Sequence, residues 1–439
     1  MGTRLASRST RRQQPKTRGG TARTSAIVGP SSRVDVLTRP REKKSMDRKD
    51  APKRSLICAG LFAGIGGIEF GLHRHGHRTH FLCENEPSAI EVLKERFEGV
   101  RLWKDVRELE RLPAGTELLT AGFPCQDLSQ AGMTRGIGGS RSGLILKVFD
   151  LLEARRSRVP FVLLENVPFM LQLGAGRALE VIISRLESLG YRWAYRVVDS
   201  RAFGLPQRRE RVFLLASRDE DPARVLFADE VGAPQEPPVS LHRANGFYWT
   251  EGLRGLGWAN DAVPTLKGGS TIGIPSPPAI LFPNGEIVKP DIRDAERMQG
   301  FAVDWTKPAE RVVKPGFRWK LVGNAVTVDV AAWVGRRLAR PADPVVGPGA
   351  PVRTGRSWPR AAMGASGKRF EVAISAWPTR ESRVPLNEFL RFPAAPLSVR
   401  AIAGFNSRLQ LSTLRFPAGF REAVAAYLAR ATSQSKLAV

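Results

Sequence analysis

Three stretches of this 439-residue chain combine side chains that can do chemistry. Gly122 to Ser129 holds a lone thiol, Cys125, in a Gly/Pro turn directly after the apolar run Leu118–Ala121. Proline restricts the backbone, so Cys125 is held in place. A thiol is strongly nucleophilic even when only partly ionised, while a buried structural role is the alternative for an isolated Cys. Glu165-Asn166-Val167 follows the apolar run Phe161–Leu164. A carboxyl at an apolar strand end has its pKa raised and can donate a proton. Gln207 to Arg211 precedes another apolar run, and Arg209 and Arg211 alternate, which puts both on one face of a strand. Two guanidiniums there suit a phosphate or a carbonyl; a solvated basic edge is the other reading.

These groups need a scaffold, and hydrophobic periodicity supplies one. Ser55–Leu61 reads as a buried strand, Phe62 to Gly67 as a Gly-rich turn, and Ile68, Phe70 and Leu72 open a helix. Strand-like runs at His80–Cys83, Glu117–Ala121, Phe161–Leu164, Tyr195–Val198 and Val212–Ala216 then alternate with helical periodicity at 89–97, 144–154 and 179–189. This alternation predicts an α/β fold with a doubly wound parallel sheet, whose ligands sit outside the carboxyl ends of the strands. The Gly-rich turn departs from G-x-G-x-x-G and lacks a following Lys-Ser/Thr, which argues against dinucleotide or P-loop phosphate sites. Glu84 lies 22 residues past Phe62, where such folds reach the ribose of a nucleoside cofactor.

The formal charge is +26, and residues 1–55 carry 16 Lys/Arg against 4 Asp/Glu. The remaining residues are therefore basic in their own right, and a nucleic-acid partner is the natural inference. Residues 1–54 read as a disordered basic arm, with Met46 as an alternative start. Three cysteines without metal-ligand spacing point to a reducing cytoplasm and to neither a disulfide framework nor a metal site. No apolar run approaches the roughly 20 residues of a membrane span.

The order of the motifs along the chain resembles that of the C5-cytosine DNA methyltransferases. The resemblance rests on Phe62 to Gly67, Asp105-Val106, Gly122 to Ser129, Ser140-Arg141, Glu165-Asn166-Val167, Gln207 to Arg211, Arg293 to Phe301 and Gly323 to Val326. It spans about residues 56–340 and implies a Rossmann-like methyltransferase sheet with a smaller, irregular or β target-recognition domain. The domains expected from it are a catalytic domain at 55–218, target recognition at 219–310 and a return helix at 311–340. A linker at 341–360 and a small C-terminal unit at 361–439 would follow. Asn85 stands where the family often has a large side chain.

The resemblance also implies roles. Cys125 attacks C6 of a flipped cytosine, Glu165 protonates ring N3, Asn166 fixes local geometry, and Arg209, with Arg211, holds the base's carbonyl. S-adenosylmethionine is the implied cofactor, held by Phe62, Gly64, Ile65, Gly66, Gly67, Glu84, Asp105, Val106, Pro124 and Asn324. Double-stranded DNA is the implied partner of a monomeric, nucleoid-associated bacterial enzyme. Ser129, Arg141 and Thr265 are expected at phosphates, and Lys267, Arg243 and Arg254 are base or phosphate contacts or plain surface charge. A tRNA-directed relative would keep the same catalytic residues, and a silent DNA-binding protein would need a damaged site.

Overall fold

In the computed structural model the apolar runs of the first half become the middle of a nine-stranded sheet. The structure describes residues 54–437 apart from 124–143, 155–157, 237, 254, 270–276 and 354. The sheet strands are β1 (Ile57–Leu61), β2 (Arg78–Cys83), β3 (Arg101–Trp103), β4 (Leu118–Gly122), β5 (Phe161–Asn166) and β6 (Arg192–Asp199). A two-residue β7 (Gln207–Arg208) then leads into β8 (Glu210–Ser217). Strands β3-β2-β1-β4-β5 run parallel in that order. β5 is buried along its whole length and β4 along all but its last residue, as strands covered by helices on both faces must be. Helices Gly67–His73 and Val328–Ala339 cover one face through Ile68, Leu72, Val330 and Val334. Helices Leu144–Glu153 and Arg177–Ser188 cover the other through Val148, Phe149, Ile182 and Leu186.

The sheet is not parallel throughout. β8 lies antiparallel to β5, and β6 antiparallel to β8. The connection from β6 to β8 is a single 3-10 turn, Ser200–Phe203, followed by β7. It is too short for the crossover that a parallel partner requires.

The small layer consists of β9 (Asn245–Phe247), β10 (Val263–Pro264), β11 (Ala279–Leu281) and β12 (Ile287–Lys289). β9, β11 and β12 form an antiparallel sheet, whereas β10 pairs with β7. The chain beyond 341 differs from the expected linker and separate unit. β13 (Ala361–Ala365) pairs antiparallel with β6, and β14 (Lys368–Glu371) forms the sheet's outer edge. Trp358 is buried edge-on to Trp193, and its indole donates to the Gly176 carbonyl at 3.0 Å. β15 (Ala395–Pro396) extends the small sheet at β12, and helices Val399–Leu411 and Phe420–Leu437 close over it. Two short edge strands inside a Pro/Gly-rich stretch leave too little periodicity to be read from sequence.

Candidate active site

The turn after β1 is built from backbone that few residues adopt. Phe62 has φ 54, Gly64 φ 56 and Gly66 φ 80. Left-handed conformation at a non-glycine residue is strained and gathers at ligand sites. The glycines act differently. A Cβ on Gly66 would fall 2.2 Å from the Phe97 ring, so it permits close packing. One on Gly64 would meet nothing within 4 Å, so that position faces open space. The Gly64 amide donates to Glu84 Oε2 at 2.7 Å, and the amides of Asn85 and Glu86 donate to Oε1 at 2.9 and 2.8 Å. Burial pushes the Glu84 carboxyl up in pKa, against the pull of these amides.

Beside this turn lies a cleft of about 290 Å³. Phe62, Gly64, Ile65, Glu84, Asp105, Val106 and Asn324 all line it, while Gly66 and Gly67 support the turn from behind. Apolar walls from Ala89 and Leu321 together with the half-buried acid Glu84 suit a nucleoside. Asp105 caps the 3-10 turn Val106–Glu108, and the Arg107 guanidinium grips both its oxygens at 2.6–3.0 Å. That contact holds the Asp105 carboxyl below the usual range. Lys104 and Lys320 also line the cleft, and Lys320 Nζ donates to Glu86 at 2.6 Å. Sequence reasoning missed both lysines, because neither belongs to a motif.

A second group of side chains meets at the ends of β4 and β5. Register pairs Gly122 with Glu165, and a Cβ on Gly122 would sit 3.4 Å from Glu165 Oε2. Glu165 is 8% exposed, and Arg211 Nε lies 3.1 Å from its Oε1. Burial pushes the Glu165 carboxyl up, opposed by the charges of Arg211 and Arg209. Asn166 Nδ2 donates to the Phe123 carbonyl at 3.0 Å. Cys125, Pro124, Ser129, Arg141 and Arg254 lie outside the described residues.

The two arginines do not do the same work. Arg209 is 1% exposed and donates to the carbonyls of Leu266, Gly323 and Ala325 at 3.1, 3.2 and 2.6 Å. Its guanidinium joins the small layer to the catalytic layer. Arg211 is the guanidinium paired with Glu165.

Beneath the junction lies Gln207, whose amide bonds Met298 O and Gln299 Oε1 and accepts from Leu266 N. Thr265 Oγ1 donates to Arg208 O at 2.8 Å, so its hydroxyl already has a backbone partner. Lys267 pairs with Glu251 and sits 3.6 Å over the Tyr248 ring. Arg243 is exposed, with Asp261 at 3.4 Å. A Cβ on Gly323 would fall 2.2 Å from the Lys267 backbone, so these two segments touch main chain to main chain. Among the described residues no cluster of His, Cys, Asp or Glu could hold a metal ion, and no helix is long and apolar enough to cross a membrane.

Fold and cleft together define a Rossmann-like methyltransferase. The family profile of C-5 cytosine-specific DNA methylase matches residues 57–243. Type II methyltransferase M2.BsuMI of Bacillus subtilis is 49% identical over 358 residues, 79% of this chain and 92% of its own. Type II methyltransferase M.MspI of Moraxella is 27% identical over 67% of this chain and 72% of its own. The solved S. pombe Dnmt2 methyltransferase aligns with 64% of this chain and 98% of its own, with 17% identity and a TM-score of 0.47. The chain belongs to the C-5 cytosine-specific DNA methylase family and is a DNA (cytosine-5-)-methyltransferase.

Proposed function

We propose that this enzyme methylates C5 of a cytosine within a specific duplex sequence, from S-adenosylmethionine, through a covalent adduct of Cys125 with a flipped base. The observation that carries the reading is the buried Glu165–Arg211 pair, set against Gly122 at the head of the Cys125 turn and close to the nucleoside-sized cleft.

The cleft fits the cofactor. Gly64 leaves a Cβ-sized opening, Glu84 is positioned to accept from ribose hydroxyls, and Ile65, Ala89 and Leu321 supply apolar surface for the base. Asp105 and Asn324 bring polar groups to the same wall, and Asp105 would release Arg107 to receive an adenine amine. When bound, S-adenosylmethionine supplies an electrophilic methyl group.

The chain's own residues do the remaining work. The Cys125 thiolate adds to C6 and makes C5 nucleophilic. Glu165, whose pKa burial raises against the charges of Arg211 and Arg209, gives a proton to ring N3 as charge builds there. Arg211 keeps the Glu165 carboxyl oriented and presents its guanidinium to the cytosine carbonyl. Asn166 holds the backbone of Phe123, two residues before the thiol. Loss of the C5 proton then expels the thiol. Ser129 and Arg141 would contact the flanking phosphates.

The relatives are named as type II methyltransferases, and we read this chain as a bacterial modification enzyme of that kind, cytoplasmic and monomeric. Tritium transfer from labelled S-adenosylmethionine to duplex DNA and to tRNA, with bisulfite sequencing of the DNA product, tests the reading. Label in tRNA alone, or label without C5-methylcytosine at a fixed sequence, would overturn it.

A further inference from the structure

The C-terminal helix pair lies beyond the family match at 57–243 and has no part in the roles assigned above. Val399–Leu411 and Phe420–Leu437 pack through Phe405, Leu409 and Phe420 onto Phe247 and Leu281 of the small sheet. In that position they carry a turn, Trp249–Leu253. Arg408 donates from Nε to Glu251 O at 2.8 Å and from a terminal nitrogen to Trp249 O at 2.9 Å. Ser412 Oγ donates to Leu253 O at 3.2 Å. Gly252 has φ 113, and a Cβ there would lie 3.1 Å from the Phe405 ring, so this turn is shaped to fit the helix. Glu251 in turn pairs with Lys267, whose backbone abuts Gly323 at the catalytic junction.

The pair is basic in composition. Residues 399–437 hold six Lys/Arg and one acid, Glu422. Arg408, Arg421 and Arg430 are occupied by backbone carbonyls. Arg415 is exposed and has no acidic partner among the described residues. Leu411 and Leu253 are 76% and 46% exposed, and the Leu253 carbonyl is held by Ser412, three residues before Arg415.

We propose that the face formed by Arg415, Leu411 and the Trp249–Leu253 turn is a second contact with the substrate duplex, binding its phosphate backbone beside the target. The target-recognition unit is then discontinuous, made from the small sheet together with residues 395–437. A cationic side chain without an acidic partner among the described residues, three residues from the Ser412 that holds a turn coupled to Lys267, is complementary to a polyphosphate backbone, and the turn leads to the catalytic junction. Arg408 is a positioning residue within this unit.

The proposal rests on duplex DNA being the substrate, so wild-type methyl transfer is measured first. Binding of full-length protein to target and non-target duplexes is then followed against salt. Arg415→Ala should lower the slope of log K against log salt by about 0.9, the value for one phosphate contact, and weaken both duplexes alike. Arg192→Ala, exposed at the amino end of β6 and so at the end of the sheet opposite the site, is the charge-matched control and should leave the slope unchanged. Arg408→Ala should raise KM for the target duplex and lower its preference over single-base variants. Arg408→Lys, which cannot fork between two carbonyls, should rescue only partly. An Arg415→Ala slope equal to wild type overturns the proposal while leaving the main reading intact. A wild-type protein that methylates no duplex sinks the main reading itself.

Discussion

Asn166 donates its side-chain amide to the Phe123 carbonyl at 3.0 Å and accepts from Val167 N at 2.9 Å through its own oxygen. One side chain thereby ties the end of β5, next to Glu165, to the entry of the Cys125 turn. Asn166→Ala leaves a buried carbonyl unpaired, at a cost of about 1–3 kcal/mol. If that cost falls on placement of the turn, kcat should drop about 10–100-fold with cofactor affinity unchanged. Single-turnover methyl transfer and equilibrium cofactor binding separate the two. A parallel loss of both would make Asn166 merely structural.

Glu165 sets a pH dependence whose sign follows from its surroundings. Burial raises its pKa and the Arg211 and Arg209 charges lower it. With protonated Glu165 as the proposed working form, activity should fall as pH rises through the raised value. Glu165→Gln cannot lose that proton and should have lost this limb, at a cost in kcat on the order of 100-fold. Arg211→Met removes a lowering charge and should move the alkaline limb to higher pH. An unmoved limb in Arg211→Met would assign it to another group.

Cys125→Ser should abolish methyl transfer while leaving cofactor binding nearly intact, because Phe62, Glu84, Asp105 and Asn324, which line the cleft, come from other segments. Duplex containing 5-fluorocytosine cannot release the thiol, so wild type should form a denaturant-stable adduct that the variant lacks. Residual turnover above a few per cent in Cys125→Ser would refute a nucleophilic thiol.

How far the sequence was legible depends on where each determinant lies along the chain. The apolar runs at β1, β4 and β5 are local, and so are the motifs that end them. The direction of β6 and β8 is set by the length of their connection, which the apolar pattern does not record. Alternation put Arg209 and Arg211 on one face, but the three carbonyls that occupy Arg209 come from Leu266, Gly323 and Ala325, more than fifty residues away. The Asp105–Arg107 pair is close in sequence yet depends on the turn geometry between them. The place of β13 beside β6 is a long-range pairing with no signal of its own.

Glu69 is a buried acid with no ion-pair partner among the described residues. Thr120 Oγ1 donates to it at 2.7 Å, and only glycine at position 60 leaves it room, since a Cβ there would lie 2.4 Å from Glu69 Oε1. Burial raises its pKa in the folded state above the unfolded value of about 4.3. Its contribution to stability is then complete below about pH 4.3 and is lost as pH rises through the folded value. Glu69→Gln stays neutral, so its melting temperature should gain on wild type as pH climbs through that window. Parallel melting curves of the two proteins across pH would show that Glu69 does not titrate in the fold.

Gly323 tests whether the contact between the layers matters to DNA. A Cβ at 323 would lie 2.2 Å from the carbonyl carbon and 2.4 Å from the oxygen of Lys267, both backbone atoms that cannot turn aside. Gly268→Ala is the matched comparison, because its Cβ would meet Asn324 Oδ1 at 2.4 Å, the far end of a side chain that can rotate. Overpacking of this kind costs about 1–3 kcal/mol when the neighbour cannot yield. Gly323→Ala should therefore push the Lys267 segment away from the junction, raising KM for duplex about tenfold or more. Gly268→Ala should cost less in DNA binding and show more in cofactor affinity, since Asn324 lines the cleft. Steady-state KM for duplex and equilibrium cofactor binding for each variant decide it. Equal effects from the two alanines would mean that the junction yields freely and that its close contact does not position the recognition segment.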